Sequence, residues 1–267
     1  MNNIKIIKEY VLEQKNLIKK TVEKYQINKK LVIIQSVSDG ATNAYVKGKC
    51  KDCDEVGIAH EVIRLDESAH DIDYLVNLIK KLNIDETVGG IIVQLPLFDG
   101  WDVERVQNAI DPRLDIDGFH KLTKFLPATP RGMIDYLKDN NFSFTGKNAV
   151  VIGRSEIVGR PMAKILLDLN MNVTITHSKT TNSDLRHYLE NADLVVIAIG
   201  KANFLDKTYK FKENSVILDV GISRIDGHLV GDCENDVQCY FKSPVPGGVG
   251  LLTRLGLLKN FIDAQME

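Results

Sequence analysis

The chain has 267 residues, a formal net charge of −2 and 44% hydrophobic residues, enough for two modest domains or one large one with a real core. No stretch is strongly basic, so a nucleic-acid partner has no electrostatic footprint, and no apolar run reaches the length that crosses a bilayer. Cys50, Cys53, Cys233 and Cys239 and the scattered histidines lack the spacing of a tetrahedral metal site; free thiols in a reducing compartment are a better reading of Cys50-x-x-Cys53 than zinc or redox chemistry.

Residues 1–25 lack the apolar core and small-residue cleavage site of a secretory signal, which predicts a cytoplasmic chain. They read as an amphipathic helix with Ile4, Ile7, Val11, Leu17, Ile18 and Val22 towards a core. A strand follows over 31–37, then a helix over about 41–55 that Ser38 or Asp39 caps and Gly57 stops. Residues 58–65 alternate like a strand, 71–82 are helical, 89–93 form an apolar strand, and 103–110 a short helix. This βαβαβ order predicts an α/β domain with a mostly parallel sheet. Residues 111–130 read as loop, punctuated by Pro112, Gly118, Pro127 and Pro130, and a helix over 132–139 leads onward.

The second half alternates strongly: strand 148–152, helix 158–169, strand 172–176, helix 182–190, strands 193–199 and 215–219, and a last helix over 250–266. The expected fold class is therefore α/β in two domains with a cleft between them. One is an N-terminal domain with a mostly parallel sheet over 1–139, completed by the C-terminal helix 250–267. The other is a Rossmann-like dinucleotide-binding domain over 140–249.

The first strand of that second domain ends at Gly153, and an apolar helical pattern starts at Val158, giving Gly153-x-Ser155-x-x-x-Gly159. Gly153 permits a tight turn, Gly159 lets the helix lie close to its strand, and free amides at the helix start attract a diphosphate. The spacing differs from G-x-G-x-x-G, so a βα turn without a ligand is the alternative. The next strand tip, Thr176 followed by His177-Ser178-Lys179-Thr180, lacks the acidic residue that holds ribose hydroxyls in NAD sites. With Arg154 nearby, a cationic and hydroxyl-rich pocket suits a ribose phosphate and favours NADP over NAD; solvated surface charge is the alternative for Arg154 and Lys179.

In the first half, Tyr45 and Lys49 lie four apart on a helix and share a face, so a ring and an amine can flank a flat aromatic substrate. Gln94 sits at the C-terminal tip of a buried strand, where α/β sheets bind ligands. Asp117 lies in the Asp115-Ile116-Asp117-Gly118 loop, where a carboxylate can clamp an amidine-like group. The alternatives are a strand-end amide bonding backbone for Gln94 and a turn residue for Asp117.

Taken together, Tyr45-Val46-x-x-Lys49, Gly90-Ile91-Ile92-Val93-Gln94-Leu95-Pro96-Leu97, Asp115-Ile116-Asp117-Gly118-Phe119, Thr129-Pro130-x-Gly132, the glycine turn, His177-Ser178-Lys179-Thr180, Asp219-Val220-Gly221-Ile222 and Pro244-Val245-Pro246-Gly247-Gly248-Val249-Gly250 resemble the bifunctional methylenetetrahydrofolate dehydrogenase/cyclohydrolase family over nearly the whole chain. The resemblance implies NADP-dependent oxidation of methylenetetrahydrofolate to the methenyl form, then hydrolysis to formyltetrahydrofolate, in the one-carbon metabolism that serves purine biosynthesis. Carried over, Lys49 transfers the proton in hydrolysis, Gln94 positions it, Tyr45 stacks on the folate, and Asp117 grips the pterin's amino-pyrimidine edge. Val93, Leu95 and Pro246, Gly247, Gly248, Val249 and Gly250 line the substrate side; Gly153, Arg154, Ser155, Ser178 and Ile222 contact NADP. No metal is implied, and the implied assembly is a homodimer through the second domain's sheet edge. A free lysine titrates near ~10.4, so burial or cationic neighbours are expected to lower Lys49.

The chain departs from the family pattern in three places. Phe119 reaches Thr129 by a shorter path without the usual asparagine, Ala128 stands where cysteine is common, and Leu251 stands where proline is usual. These departures bear on cofactor placement and on the balance of the two activities. Two other readings remain: a Rossmann dehydrogenase of another small substrate with Lys49 as acid/base, and a catalytically silent folate- or NADP-binding homologue.

Overall fold

The computed structural model describes residues 4–266. The first three residues of the predicted N-terminal helix lie outside them. The first helix, α1 (Ile7–Tyr25), buries Ile7, Tyr10, Val11, Ile18 and Val22, as an apolar stripe at helical spacing must. Leu17, expected on that stripe, faces solvent at 54% exposed because it stands about 100° around the helix from its neighbour Ile18. Ile4 precedes the helix and is half-buried.

Strands β1 (Lys30–Gln35), β2 (His60–Arg64) and β3 (Val88–Gln94) form a parallel sheet in the order β2-β1-β3. Helices α2 (Gly40–Val56) and α3 (Ile72–Asn83) make the crossovers. Val32, Ile34, Ile91 and Val93 pack with Leu75 and Ile79 of α3, which explains the unbroken apolar runs of β1 and β3. Caps set the helix limits: Asp39 accepts from the Thr42 N–H at 2.7 Å, and Gly57 ends α2 at φ 80°. Helix α4 (Val103–Gln107) is shorter than the expected 103–110.

Helix α5 (Ala128–Asp139) begins inside the stretch read as loop. Pro130 lies in its first turn, where the missing N–H costs nothing, so this proline marks a helix start rather than a break. Then come β4 (Asn148–Ile152), α6 (Gly159–Asp168), β5 (Asn172–Thr176), α7 (Asn182–Glu190), β6 (Leu194–Ile197) and β7 (Val216–Asp219). A hairpin of β8 (Ser223–Ile225) and β9 (His228–Val230), turned at Asp226 and Gly227 with positive φ, was not expected; neither was β10 (Phe241–Lys242). Strands of two or three residues are too short to show a period. The five-stranded sheet is parallel throughout, in the order β10-β7-β6-β4-β5, and α8 (Val249–Met266) closes the chain.

Two compact units result. One comprises the chain up to Val11 together with Thr129–Thr253; the other comprises Leu12–Ala128 and the segment from Arg254. This cut is geometric and falls inside α1, α5 and α8 rather than at residues 139/140. The reason is packing within the first unit. A Cβ on Gly132 of α5 would lie 1.9 Å from the Leu252 carbonyl oxygen of α8, and Tyr10 of α1 meets Tyr136 of α5 edge-on at 5.2 Å. Among the described residues no helix is long and apolar enough to cross a membrane.

Candidate active site

Lys49 projects from the middle of α2 and is buried, at 8% exposed. Its Nζ donates to Gln94 Oε1 at 2.9 Å, and Gln94 Nε2 donates to the Leu95 carbonyl at 2.8 Å. The second bond fixes which end of the amide faces the lysine. The two readings of Gln94 therefore coexist: it bonds its own strand end and presents an acceptor to Lys49. Tyr45, one helical turn before Lys49, is 39% exposed. Val93 is buried behind Gln94, and Leu95 is half-buried.

Burial pushes the Asp117 carboxyl up, and the Lys49 ammonium pulls it only partway back down. Lys49 itself is lowered, because burial of the ammonium outweighs the opposing pull of Asp117 and of the Cys53 and Cys50 thiols. Of the two causes expected, burial is the one that acts; no cationic neighbour is among them. Desolvation alone accounts for the direction. Cys53 is pushed up to about 12 by burial, so it remains a thiol. Among the described residues no group of three or more His, Cys, Asp or Glu has the geometry to hold a metal ion.

The Asp117 loop is built from the backbone outward. Gly118 has φ 81°, and a Cβ there would lie 2.7 Å from the Leu126 carbonyl oxygen. The Asp117 carbonyl accepts from the Ala128 N–H at 3.1 Å, a bond indifferent to the side chain at 128. Asp115 takes the His120 N–H at 2.7 Å, and its carboxyl is pushed up to about 6 by burial and by Asp117. Asn260 of α8, fully buried, donates to the carbonyls of Ile116 and Leu126 at 2.8 and 2.9 Å. Sequence reasoning missed Asn260; a lone amide in an apolar helix was the available signal. The structure thus brings Lys49, Gln94 and Asp117 together, with Tyr45 beside them on the same helix.

The other unit carries the glycine turn. Gly153 has φ 114°, and a Cβ there would lie 2.6 Å from the Ala198 carbonyl oxygen; one on Gly159 would lie 2.3 Å from the Gly153 carbonyl oxygen. Both positions require glycine, and together they let the backbone form an open cradle of the kind a dinucleotide occupies. One expectation is corrected. The Val158 and Gly159 amides are not free, since Ser155 Oγ accepts from them at 3.2 and 3.3 Å, and the Ser155 carbonyl accepts from Arg160. The serine holds the turn. Arg154, Ser178 and Lys179 are exposed at the tips of β4 and β5, and the acid of that turn, Glu156, pairs with Arg160 at 2.7 Å, so the donors present fit a phosphorylated ribose.

Ile222 is 40% exposed just beyond β7. Its segment is held by two buried carboxylates: Asp219, which stands in the Asp219–Ile222 motif without an assigned role, and Asp232, which the sequence did not flag. Asp232 accepts from the Ile199, Gly200 and Lys201 amides at 2.8, 3.0 and 2.6 Å. Asp219 accepts from the Asp232 and Cys233 amides at 3.0 and 2.9 Å. Gly221 and Gly231 pack directly on these carboxylates. In the Pro246–Gly250 stretch, a Cβ on Gly248 would lie 2.2 Å from the Pro244 carbonyl oxygen, and Val249 is buried at the start of α8. Leu251 donates its N–H to the Gly248 carbonyl at 2.9 Å, a bond proline cannot make.

Comparison with known proteins gives the family. Residues 3–117 match the model of the tetrahydrofolate dehydrogenase/cyclohydrolase catalytic domain, and residues 127–267 match that of the family's NAD(P)-binding domain. The chain belongs to the tetrahydrofolate dehydrogenase/cyclohydrolase family. It is a bifunctional enzyme with both activities, acting in one-carbon metabolism. A bifunctional protein FolD from Campylobacter concisus is 44% identical over 256 residues, covering 91% of this chain and 89% of that protein. The crystal structure of the FolD methylenetetrahydrofolate dehydrogenase/cyclohydrolase from Campylobacter jejuni superposes with a TM-score of 0.92 at 36% identity, covering 97% of each chain. A Trypanosoma brucei methylenetetrahydrofolate dehydrogenase-cyclohydrolase, solved with NADP cofactor and inhibitor, gives 0.90 at 25% identity, covering 98% of this chain and 96% of that one.

Proposed function

We propose that the Lys49 amine is the proton-transfer group of the hydrolytic step and that the dehydrogenase uses NADP. In hydrolysis water adds to the cationic one-carbon bridge of methenyltetrahydrofolate, and Lys49 takes the proton that the water loses. One C–N bond of the bridge then breaks, its electron pair going to the nitrogen that leaves; that nitrogen takes the proton held by the Lys49 ammonium while the adduct's hydroxyl gives its own proton to solvent, and the formyl group stays on the other nitrogen. A neutral amine is needed for the first proton, and burial favours that form. Gln94 Oε1 accepts a Lys49 N–H at 2.9 Å, which holds the amine in place without adding charge. Asp117 accepts paired hydrogen bonds from the amino-pyrimidine edge, and Tyr45 stacks on the folate. That buried lysine, bonded to a neutral amide and facing a carboxylate, is the observation that carries the reading.

In the oxidation a hydride leaves the methylene carbon with its electron pair and no proton acid is required, so the protein's part is to hold and orient the two partners. NADP supplies the hydride acceptor. Gly153 and Ser155 shape its turn, Arg154, Ser178 and Lys179 offer donors to the ribose phosphate, and Ile222 offers an apolar surface. Residues 246–250 line the substrate side. By role, residues 1–139 with helix 250–267 bind folate and residues 140–249 bind NADP. The enzyme works in the cytoplasm as a homodimer joined through a sheet edge of the NADP-binding domain; a monomer in sedimentation at working concentration contradicts the dimer.

One spectrophotometric experiment tests the chemistry. NADPH must appear with methylenetetrahydrofolate, faster with NADP than with NAD, and methenyl absorbance must decay without any cofactor. Oxidation without hydrolysis removes Lys49 from its role, and binding of folate with neither activity leaves a silent homologue.

A further inference from the structure

Helix α2 carries a second feature that the chemistry above does not use. Tyr45, Gly48 and Asp52 follow one another at i, i+3 and i+7 and so form one stripe along the helix, adjacent to Lys49. Asp52 is a carboxylate at 2% exposed, deep for an acid. Two cations meet it. Lys15 of α1 bonds it while also reaching Glu55 at 2.7 Å, and the Arg254 Nε of α8 stands 3.0 Å from its second oxygen. Arg254 Nη1 occupies the space over Gly48, where a Cβ would fall 2.0 Å from it. Tyr45 stands one turn before the glycine on the same stripe; burial pushes its phenol up and the Arg254 charge pulls it partway back.

We propose that Arg254 is a positioning residue for folate binding: anchored by buried Asp52 and seated in the notch that Gly48 leaves open, its guanidinium sets where the Tyr45 ring stands beside Lys49. A buried ion pair with both partners engaged is rigid, and removing one partner leaves the other costly to bury. A lysine in place of Arg254 would keep the charge but not the planar fork that fills the notch. Gly48 is required by this contact and not by the backbone, since it sits mid-helix where an alanine would otherwise be favoured. The inference rests on the reading that Tyr45 stacks on the folate.

The experiment compares Tyr45→Ala, Arg254→Met, Arg254→Lys and Gly48→Ala in the full-length enzyme, with KM and kcat measured separately for methylenetetrahydrofolate, methenyltetrahydrofolate and NADP. Arg254→Met is expected to raise KM for both folates about ten-fold, with kcat and the KM for NADP within about two-fold of the parent. Gly48→Ala displaces only the far end of the guanidinium and should reproduce most of that rise, while Arg254→Lys should restore little of it. The double variant Gly48→Ala/Arg254→Met should be no worse than Arg254→Met alone, because the notch is then empty. If Arg254→Met does not fold, Gly48→Ala decides the matter alone. Unchanged folate KM in Gly48→Ala and any folded Arg254 variant, or a parallel loss in KM for NADP, overturns the inference. A Tyr45→Ala variant with unchanged folate KM overturns the underlying reading instead.

Discussion

At the scale of single residues, the chemistry turns on how Lys49 is kept uncharged. Burial disfavours its ammonium, Asp117 opposes that, and Gln94 contributes a dipole where a carboxylate of the same shape would contribute a full charge. Replacing Gln94 by Glu supplies that charge about where Oε1 now stands. An opposite charge at that distance stabilises an ammonium, so the pH limb for hydrolysis should move upward by about one to three units. The sign follows from the role. Lys49 must lose its proton to act, so hydrolysis rises with pH through the lysine's lowered value, and raising that value pushes the rise to higher pH. The check is kcat/KM for methenyltetrahydrofolate against pH; a limb that stays put, or moves down, contradicts the assignment. Lys49, Gln94, Tyr45 and Asp117 were legible in the sequence because each sits inside a motif whose neighbours are also distinctive. Asp232, Asn260 and Arg254 were not, and Asp219 stood in a quoted motif without a role. Their partners are amides, carbonyls or a carboxylate far away in the chain, and no spacing encodes such a bond.

At the scale of elements, periodicity located nearly every helix and strand, and the misses have separate physical causes. Leu17 shows that an apolar residue on an amphipathic helix need not face the core when its neighbour does. Pro130 shows that a proline opens a helix as readily as it ends one. The loop that presents Asp117 was read as irregular, yet Asn260 of α8 ties both of its arms, at the Ile116 and Leu126 carbonyls. Asn260→Leu keeps the volume but leaves the buried Ile116 carbonyl and the part-buried Leu126 carbonyl without this donor, at a cost of about 1–3 kcal/mol, most of it from the buried one. Urea denaturation should register a loss in that range, and KM for methylenetetrahydrofolate should rise while KM for NADP does not. Unaltered stability together with an unaltered folate KM would show that the loop holds its shape without the amide.

At the scale of the whole molecule, two parallel sheets of different size serve two tasks, and both place their candidate residues where α/β sheets bind ligands, beyond the carboxyl ends of the strands. The Lys49 site gathers at the tip of β3 and the dinucleotide turn at the tip of β4. The architecture was readable from alternation alone; the boundary between compact units was not, because α1, α5 and α8 each continue across it. Such helices carry one uninterrupted apolar pattern, so nothing in their composition marks the cut. The account as a whole depends on the buried amine of Lys49. The most direct test is Lys49→Met, which keeps an unbranched side chain and removes the base, with methenyltetrahydrofolate binding followed by fluorescence and hydrolysis followed by absorbance in the same preparation. The predicted result is binding near that of the parent with hydrolysis reduced to the uncatalysed rate; a variant that hydrolyses at the parent's rate contradicts the account.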